Sequence, residues 1–211
     1  MEYLSTRNDK ISEKFEHIFI KGLSDDGGLF LPKQIKKLSD KEFLNLRNLS
    51  YVDLATEIIS RFTGDFCSNE KLHQIVKKSY STFNEHNVVK IKKVEDLHVL
   101  ELFHGPTLAF KDVAMQLIGN FYEYYLSKNT KKINIIVATS GDTGAAAIDA
   151  VKGKKNINIF VLHPNNRISP VQRMLMTTNP SKNVFKIAVE GNFDDCQKLV
   201  KEMFSDIEFS K

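Results

Sequence analysis

Ile133-Asn134-Ile135-Ile136-Val137-Ala138 runs directly into Thr139-Ser140-Gly141-Asp142-Thr143-Gly144, and then into Ala145-Ala146-Ala147-Ile148-Asp149-Ala150-Val151. The first six residues are mostly apolar and β-branched, in a run too short for a stable helix, so they read as a buried strand. The alanine-rich segment reads as a helix over 143–151, because alanine loses the least on entering one. A strand passing through a short glycine-bracketed loop into a helix is the first half of a βαβ crossover. The same rhythm spreads outward on both sides. Strands are expected at 97–103, 157–162 and 184–189, and helices at 109–126 and 193–204. Another helix runs to about Thr177, opened by Ser169 as cap with Pro170 in the first helical position. Strands alternating with helices in segments this short predict an α/β fold with a partial, largely parallel open sheet.

Upstream the pattern differs, and residues 1–95 read as a mainly helical N-terminal domain ahead of an α/β domain at 96–211. Ser50 followed by Asp53 is an acidic variant of the capping box. Val52, Leu54, Ala55, Ile58, Ile59 and Phe62 then form a helical stripe that ends at Gly64. A second helix starts at Ser68, with Leu72, Ile75, Val76 and Tyr80 on one side. Asp25-Asp26-Gly27-Gly28 is a turn. No internal repeat or low-complexity linker appears.

Composition narrows the function classes. The 211 residues are 42% hydrophobic and 27% charged, which is ordinary for a globular protein. The 30 Lys+Arg against 26 Asp+Glu are spread along the chain, so the net charge of +4 reads as solvated lysine faces, not a nucleic-acid surface. Cys67 and Cys196 are far apart and form no CxxC, which fits a reducing cytosol. The start, Met1-Glu2-Tyr3-Leu4, is unlike a secretory signal, and no apolar run approaches bilayer length. The six histidines lack H-x-x-H or H-x-x-x-H spacing, so no metal site is expected.

Two loops carry chemistry, both where a strand passes to a helix, the position at which open α/β sheets bind ligands. The first is His104-Gly105-Pro106-Thr107-Leu108-Ala109-Phe110-Lys111-Asp112. A lysine in the first helical turn is ordinarily a surface residue. Here Leu108, Ala109 and Phe110 and the positive helix end favour a neutral amine, the form that attacks a carbonyl to make an imine. Asp112 is expected to offset part of that. The second loop is 139–144, whose glycines and hydroxyls at a helix start suit a small anion, carboxylate or phosphate alike. Its spacing is neither G-x-G-x-x-G nor a P-loop. His104 reads equally as a ligand contact or a turn former. Arg167 and Arg173 read as solvated, with phosphate pairing as the alternative.

Both loops resemble those of the threonine synthase family. So do Gly22-Leu23-Ser24-Asp25-Asp26-Gly27-Gly28-Leu29-Phe30-Leu31-Pro32, Ile168-Ser169-Pro170-Val171-Gln172 and Gly191-Asn192-Phe193-Asp194-Asp195-Cys196-Gln197, all in family order. The resemblance implies a tryptophan-synthase-β-like fold (fold type II) with pyridoxal 5'-phosphate as cofactor. Lys111 then corresponds to the catalytic lysine that holds the cofactor. Thr139, Ser140, Gly141, Asp142 and Thr143 correspond to the loop that grips the substrate carboxylate, with Asp142 nearest the cofactor's ring hydroxyl. The implied reaction takes O-phospho-L-homoserine and water to L-threonine and phosphate in the cytoplasm, with a homo-oligomer as one possible assembly. Another pyridoxal-phosphate lyase or dehydratase of the same fold is the nearest rival, and a catalytically dead binding fragment is the non-enzyme rival. The family's glycine-rich loop for the cofactor phosphate finds no counterpart among the ten glycines. The chain therefore reads as an amino-terminal portion, incomplete on its C-terminal side, and the 211 residues alone are not expected to turn over.

Overall fold

A computed structural model describes residues 1–206, 208 and 209, and they divide into two compact units, Met1–Lys77 and Lys78 onward. In the first unit β1 (Glu2–Ser5) lies between β2 (Ser12–Lys14) and β3 (Phe30–Pro32), antiparallel to both. Helices α1 (Phe15–Lys21), α2 (Asp40–Leu46) and α3 (Tyr51–Thr63) complete it, with α4 (Asn69–Tyr80) carrying the chain across the boundary. The Ser50 hydroxyl caps α3 by accepting the Asp53 N–H at 3.2 Å. Gly64, at φ +58°, ends the helix where the apolar stripe ends. Tyr3 is buried and its hydroxyl donates to the Phe62 carbonyl at 2.7 Å. Phe15 stacks on Phe19 and meets Phe66 edge-on, with centroids 5.7 and 5.4 Å apart. The three-stranded sheet adds to the helical expectation. Its outer strands are three residues each, too short to show an alternation that sequence reading can detect.

The second unit opens with a hairpin of β4 (Lys90–Val94) and β5 (Leu97–Glu101). There follow α5 (Asp112–Ser127), β6 (Ile133–Ala138), α6 (Asp142–Val151), β7 (Ile157–Pro164), α7 (Pro170–Thr177), β8 (Val184–Val189) and α8 (Phe193–Ser205). Strands β6, β7 and β8 form a parallel sheet in that order, with Ile135 opposite Ile159 and Ile159 opposite Val184. The expected α/β architecture with a partial parallel sheet is therefore present. The strand expected at 97–103 is not part of it, because it pairs antiparallel with β4 in a separate two-stranded sheet. Val94 faces Leu97 across a two-residue loop in which Glu95 takes φ +52°. Three lysines in β4 hid its strand character from a reading that looks for apolar runs.

The core of this unit gathers Ile148 and Val151 of α6 with Ile157, Ile159 and Val161 of β7 and Met176 of α7. Helices α5 and α6 are tightly joined, because a Cβ on Gly119 would overlap the Ala150 carbonyl oxygen. Gln116 Nε2 also donates to Asp149 Oδ2 at 2.8 Å. The Lys154 ammonium, just past α6, reaches back to Asn120 Oδ1 and Glu123 Oε2, both at 2.8 Å. Burial lowers the Lys154 pKa, and its pairing with Glu123 opposes that shift. Strand β8 lies at a sheet edge with Phe185 and Ile187 each 42% exposed, although parallel strands are normally covered on both faces.

Candidate active site

The hydroxyl loop takes its shape from Thr139. Its N–H donates to the Leu162 carbonyl at 3.0 Å, extending the β6–β7 ladder by one residue. Its Oγ1 then accepts the N–H groups of Gly141 and Gly144, both at 2.9 Å. Thr139 is 1% exposed, so its hydroxyl serves the loop's own backbone. Gly141 sits at φ +144°, a region that disfavours any side chain, and Gly144 has Thr139 Cγ2 and Met176 Sδ where a Cβ would stand. The chain thereby turns from β6 into α6 within three residues. Ser140 and Asp142 are left exposed and Thr143 half-buried. At the start of α6, the Asp142 and Thr143 amides have no preceding turn to bond to, which is what an anion site requires.

Beside this loop stands the first turn of α7. Gln172 Nε2 donates a hydrogen bond to Asp142 Oδ1. The Ser169 hydroxyl donates to Gln172 Oε1 at 3.0 Å. Asp142, Gly141, Gln172 and Ser169 therefore form one cluster. No spacing rule in the sequence predicts it, since Gln172 lies 30 positions from Asp142.

The lysine loop is held by Asp112. This carboxylate is fully buried and accepts the Thr107 N–H at 2.8 Å and the Thr107 hydroxyl at 2.7 Å. A Cβ on Gly105 would overlap the Asp112 side chain, so glycine is what allows the turn to close over it. Leu108 adopts φ +59°, a strained conformation for leucine, and its N–H returns to the Gly105 carbonyl at 3.1 Å. Burial raises the Asp112 pKa, against the lowering effect of the Thr107 hydrogen bonds. Asp112 thus braces the loop instead of pairing with its neighbour Lys111.

Lys111 occupies the residue just before α5, so the helix starts later than the expected 109. It is half-buried, and its Nζ lies 4.8 Å from the centroid of the Phe110 ring. Among the described residues it makes no ion pair with a carboxylate. His104 resolves toward a structural role: its Nε2 meets Glu101 Oε2 at 3.1 Å and its ring lies against Phe103. Arg167 and Arg173 are exposed. No hydrogen bond or ion pair joins Lys111 to the hydroxyl loop among the described residues. Also among them, no group of three or more His, Cys, Asp or Glu is placed to hold a metal ion. Among the described residues no helix is long and apolar enough to cross a membrane.

Comparison with known proteins finds the chain similar to one group of enzymes. Residues 2–80 match the family model described as the threonine synthase N terminus. The threonine synthase of Schizosaccharomyces pombe is 44% identical over 100% of this chain and 43% of its own length. That of Pseudomonas aeruginosa is 41% identical over 100% of this chain and 45% of its own. Among solved structures, PLP-bound threonine synthase from Brucella melitensis superposes with a TM-score of 0.91 at 44% identity, over 99% of this chain and 45% of that one. Threonine synthase from yeast gives a TM-score of 0.91 at 42% identity, over 99% of this chain and 44% of that one. The chain thus spans less than half the length of the relatives it matches. Over its whole length the chain is thus similar, in sequence and in fold, to the amino-terminal portion of threonine synthases.

Proposed function

We propose that the protein carrying this sequence is a threonine synthase, which converts O-phospho-L-homoserine and water to L-threonine and phosphate with pyridoxal 5'-phosphate as cofactor. The observation that carries this reading is the TM-score of 0.91 to a PLP-bound threonine synthase over 99% of the chain, both loops included. The residues present fit such a group. Lys111 offers an amine that makes no ion pair among the described residues, and the 139–144 loop offers helix-start amides and an exposed serine hydroxyl. When bound, the cofactor supplies an electron sink for charge developing at the substrate α-carbon. Lys111 holds it and then moves the proton at that carbon as general base and acid. Ser140, Gly141 and Thr143 would bind the α-carboxylate, and Asp142 would hold the cofactor's ring hydroxyl. Thr139 acts one step back, as the brace of the loop. Phosphate leaves the γ-carbon and water adds at the β-carbon, which balances the overall reaction. The two cysteines lie far apart in the sequence and form no CxxC pattern, which supports the cytoplasm as its location.

Product analysis separates this reading from a lyase of the same fold. Threonine and phosphate in equal amounts are expected, whereas a 2-oxo acid as main product overturns the assignment. In the same assay Ser140→Ala weakens substrate binding by about tenfold or more, as one hydrogen bond to a charged group is worth about 1.5–3 kcal/mol. A Ser140→Ala variant that lost cofactor affinity and kept substrate affinity would reverse the role of the loop.

A further inference from the structure

Four helices of this chain are capped by Ser or Asn with an acid or amide three positions on; two close the full reciprocal box, while in α3 Asp53 turns to His73 and in α7 Gln172 turns to Asp142. In α2 and α8 the full reciprocal box forms: Glu42 reaches back to the Ser39 N–H and Asp195 to the Asn192 N–H. At α7 the Ser169 hydroxyl accepts the Gln172 N–H at 3.3 Å, as a cap should. The Gln172 side chain takes another course. Its oxygen accepts the Ser169 hydroxyl, and its NH2 group turns to Asp142. A carboxylate is acceptor-only, so this orientation is the one that satisfies both neighbours. The amide also lies against Gly141, in the space a Cβ would fill. A side chain that forgoes its ordinary cap partner and packs on a bare backbone is fastening something.

We propose that Gln172 is a positioning residue for the anion loop, holding the Gly141–Asp142 corner against α7 so that the Asp142 carboxylate and the loop amides keep one orientation. The proposal rests on the reading of 139–144 as a ligand loop, although the clasp itself is independent of what binds there. Glycine at 141 serves two ends: it permits φ +144° and it admits the glutamine. Gln172 touches neither cofactor nor substrate in this scheme and acts through Asp142.

Amide hydrogen exchange on the protein as expressed tests this, with Gln172→Ala, Asp142→Ala and the double variant. Each single substitution raises exchange about tenfold at Gly141 and Gly144, whose N–H groups are bonded to Thr139 Oγ1, the effect of one hydrogen bond to a charged group, and leaves the β7 amides unchanged. The double variant exchanges no faster than either single one, because both remove the same contact. Unchanged exchange in Gln172→Ala, or additive effects, overturns the proposal. A second measurement keeps the underlying reading separate: with pyridoxal phosphate bound, Asp142→Ala shifts the cofactor absorbance and Gln172→Ala shifts it the same way by less. Absence of any shift in Asp142→Ala counts against Asp142 at the cofactor, while the exchange data still decide on Gln172.

Discussion

Lys111→Ala removes threonine formation, by a factor of at least ~10³, and leaves the fold standing. A positioned proton-transfer group contributes about 10²–10⁴ to rate, and loss of the cofactor attachment adds to that. The structural cost is small because Lys111 is half-buried and its contact is the Phe110 ring at 4.8 Å. Such a cation–π contact at a partly exposed site is worth about 0.5–1 kcal/mol. Turnover measured beside a denaturant midpoint checks both halves of the expectation. A variant that kept substantial turnover would place the chemistry elsewhere.

Asp112→Ala, one residue along, has the opposite profile: the fold suffers first. The substitution strips two hydrogen bonds from Thr107 and leaves a buried N–H without a partner. A loss of about 3 kcal/mol is expected, because bonds to a charged acceptor are worth about 1.5–3 kcal/mol each and burial of the carboxylate offsets part of the sum. The loop that ends in Lys111 loosens with it, so cofactor attachment falls as well. Asp112→Asn isolates the charge. Burial raises the Asp112 pKa above its unfolded value, against the Thr107 hydrogen bonds. The folded protein therefore binds this proton more readily than the unfolded chain. The stability it contributes is complete below the unfolded pKa and is lost as pH rises through the folded one. The difference between wild type and Asp112→Asn then moves in favour of asparagine across that acid window. Denaturant midpoints at a series of acid pH values measure it, and a difference that grew in favour of aspartate with rising pH would contradict the shift.

The contrast between these neighbours shows what the sequence discloses and what it withholds. The β6–loop–α6 unit was legible because an apolar run, a glycine-bracketed turn and an alanine-rich segment lie side by side, and each has a local physical preference. Capping by Ser50 and Ser169 was legible for the same reason. From the sequence, Asp112 is expected only to offset part of the effect of the apolar flank on Lys111. Its actual partner is Thr107, five positions back, in a turn whose closure depends on Gly105 and on strained Leu108. The hairpin strand β4 was hidden by its lysines, and the β1–β2–β3 sheet by the brevity of its outer strands. Ser169 caps α7 as expected by accepting the Gln172 N–H, whereas the reach of the Gln172 side chain to Asp142 has no signal in the sequence. Sequence spacing reports contacts one turn away; contacts made by folding thirty residues apart leave no periodic trace.

The assignment of Lys111 as the cofactor lysine has one direct measurement. The full-length protein that carries this sequence is saturated with pyridoxal phosphate, reduced with borohydride, digested and mapped by mass spectrometry. A pyridoxyl group on Lys111, absent from Lys111→Ala, is the predicted result; label concentrated on a different lysine, or none at saturating cofactor, would contradict it.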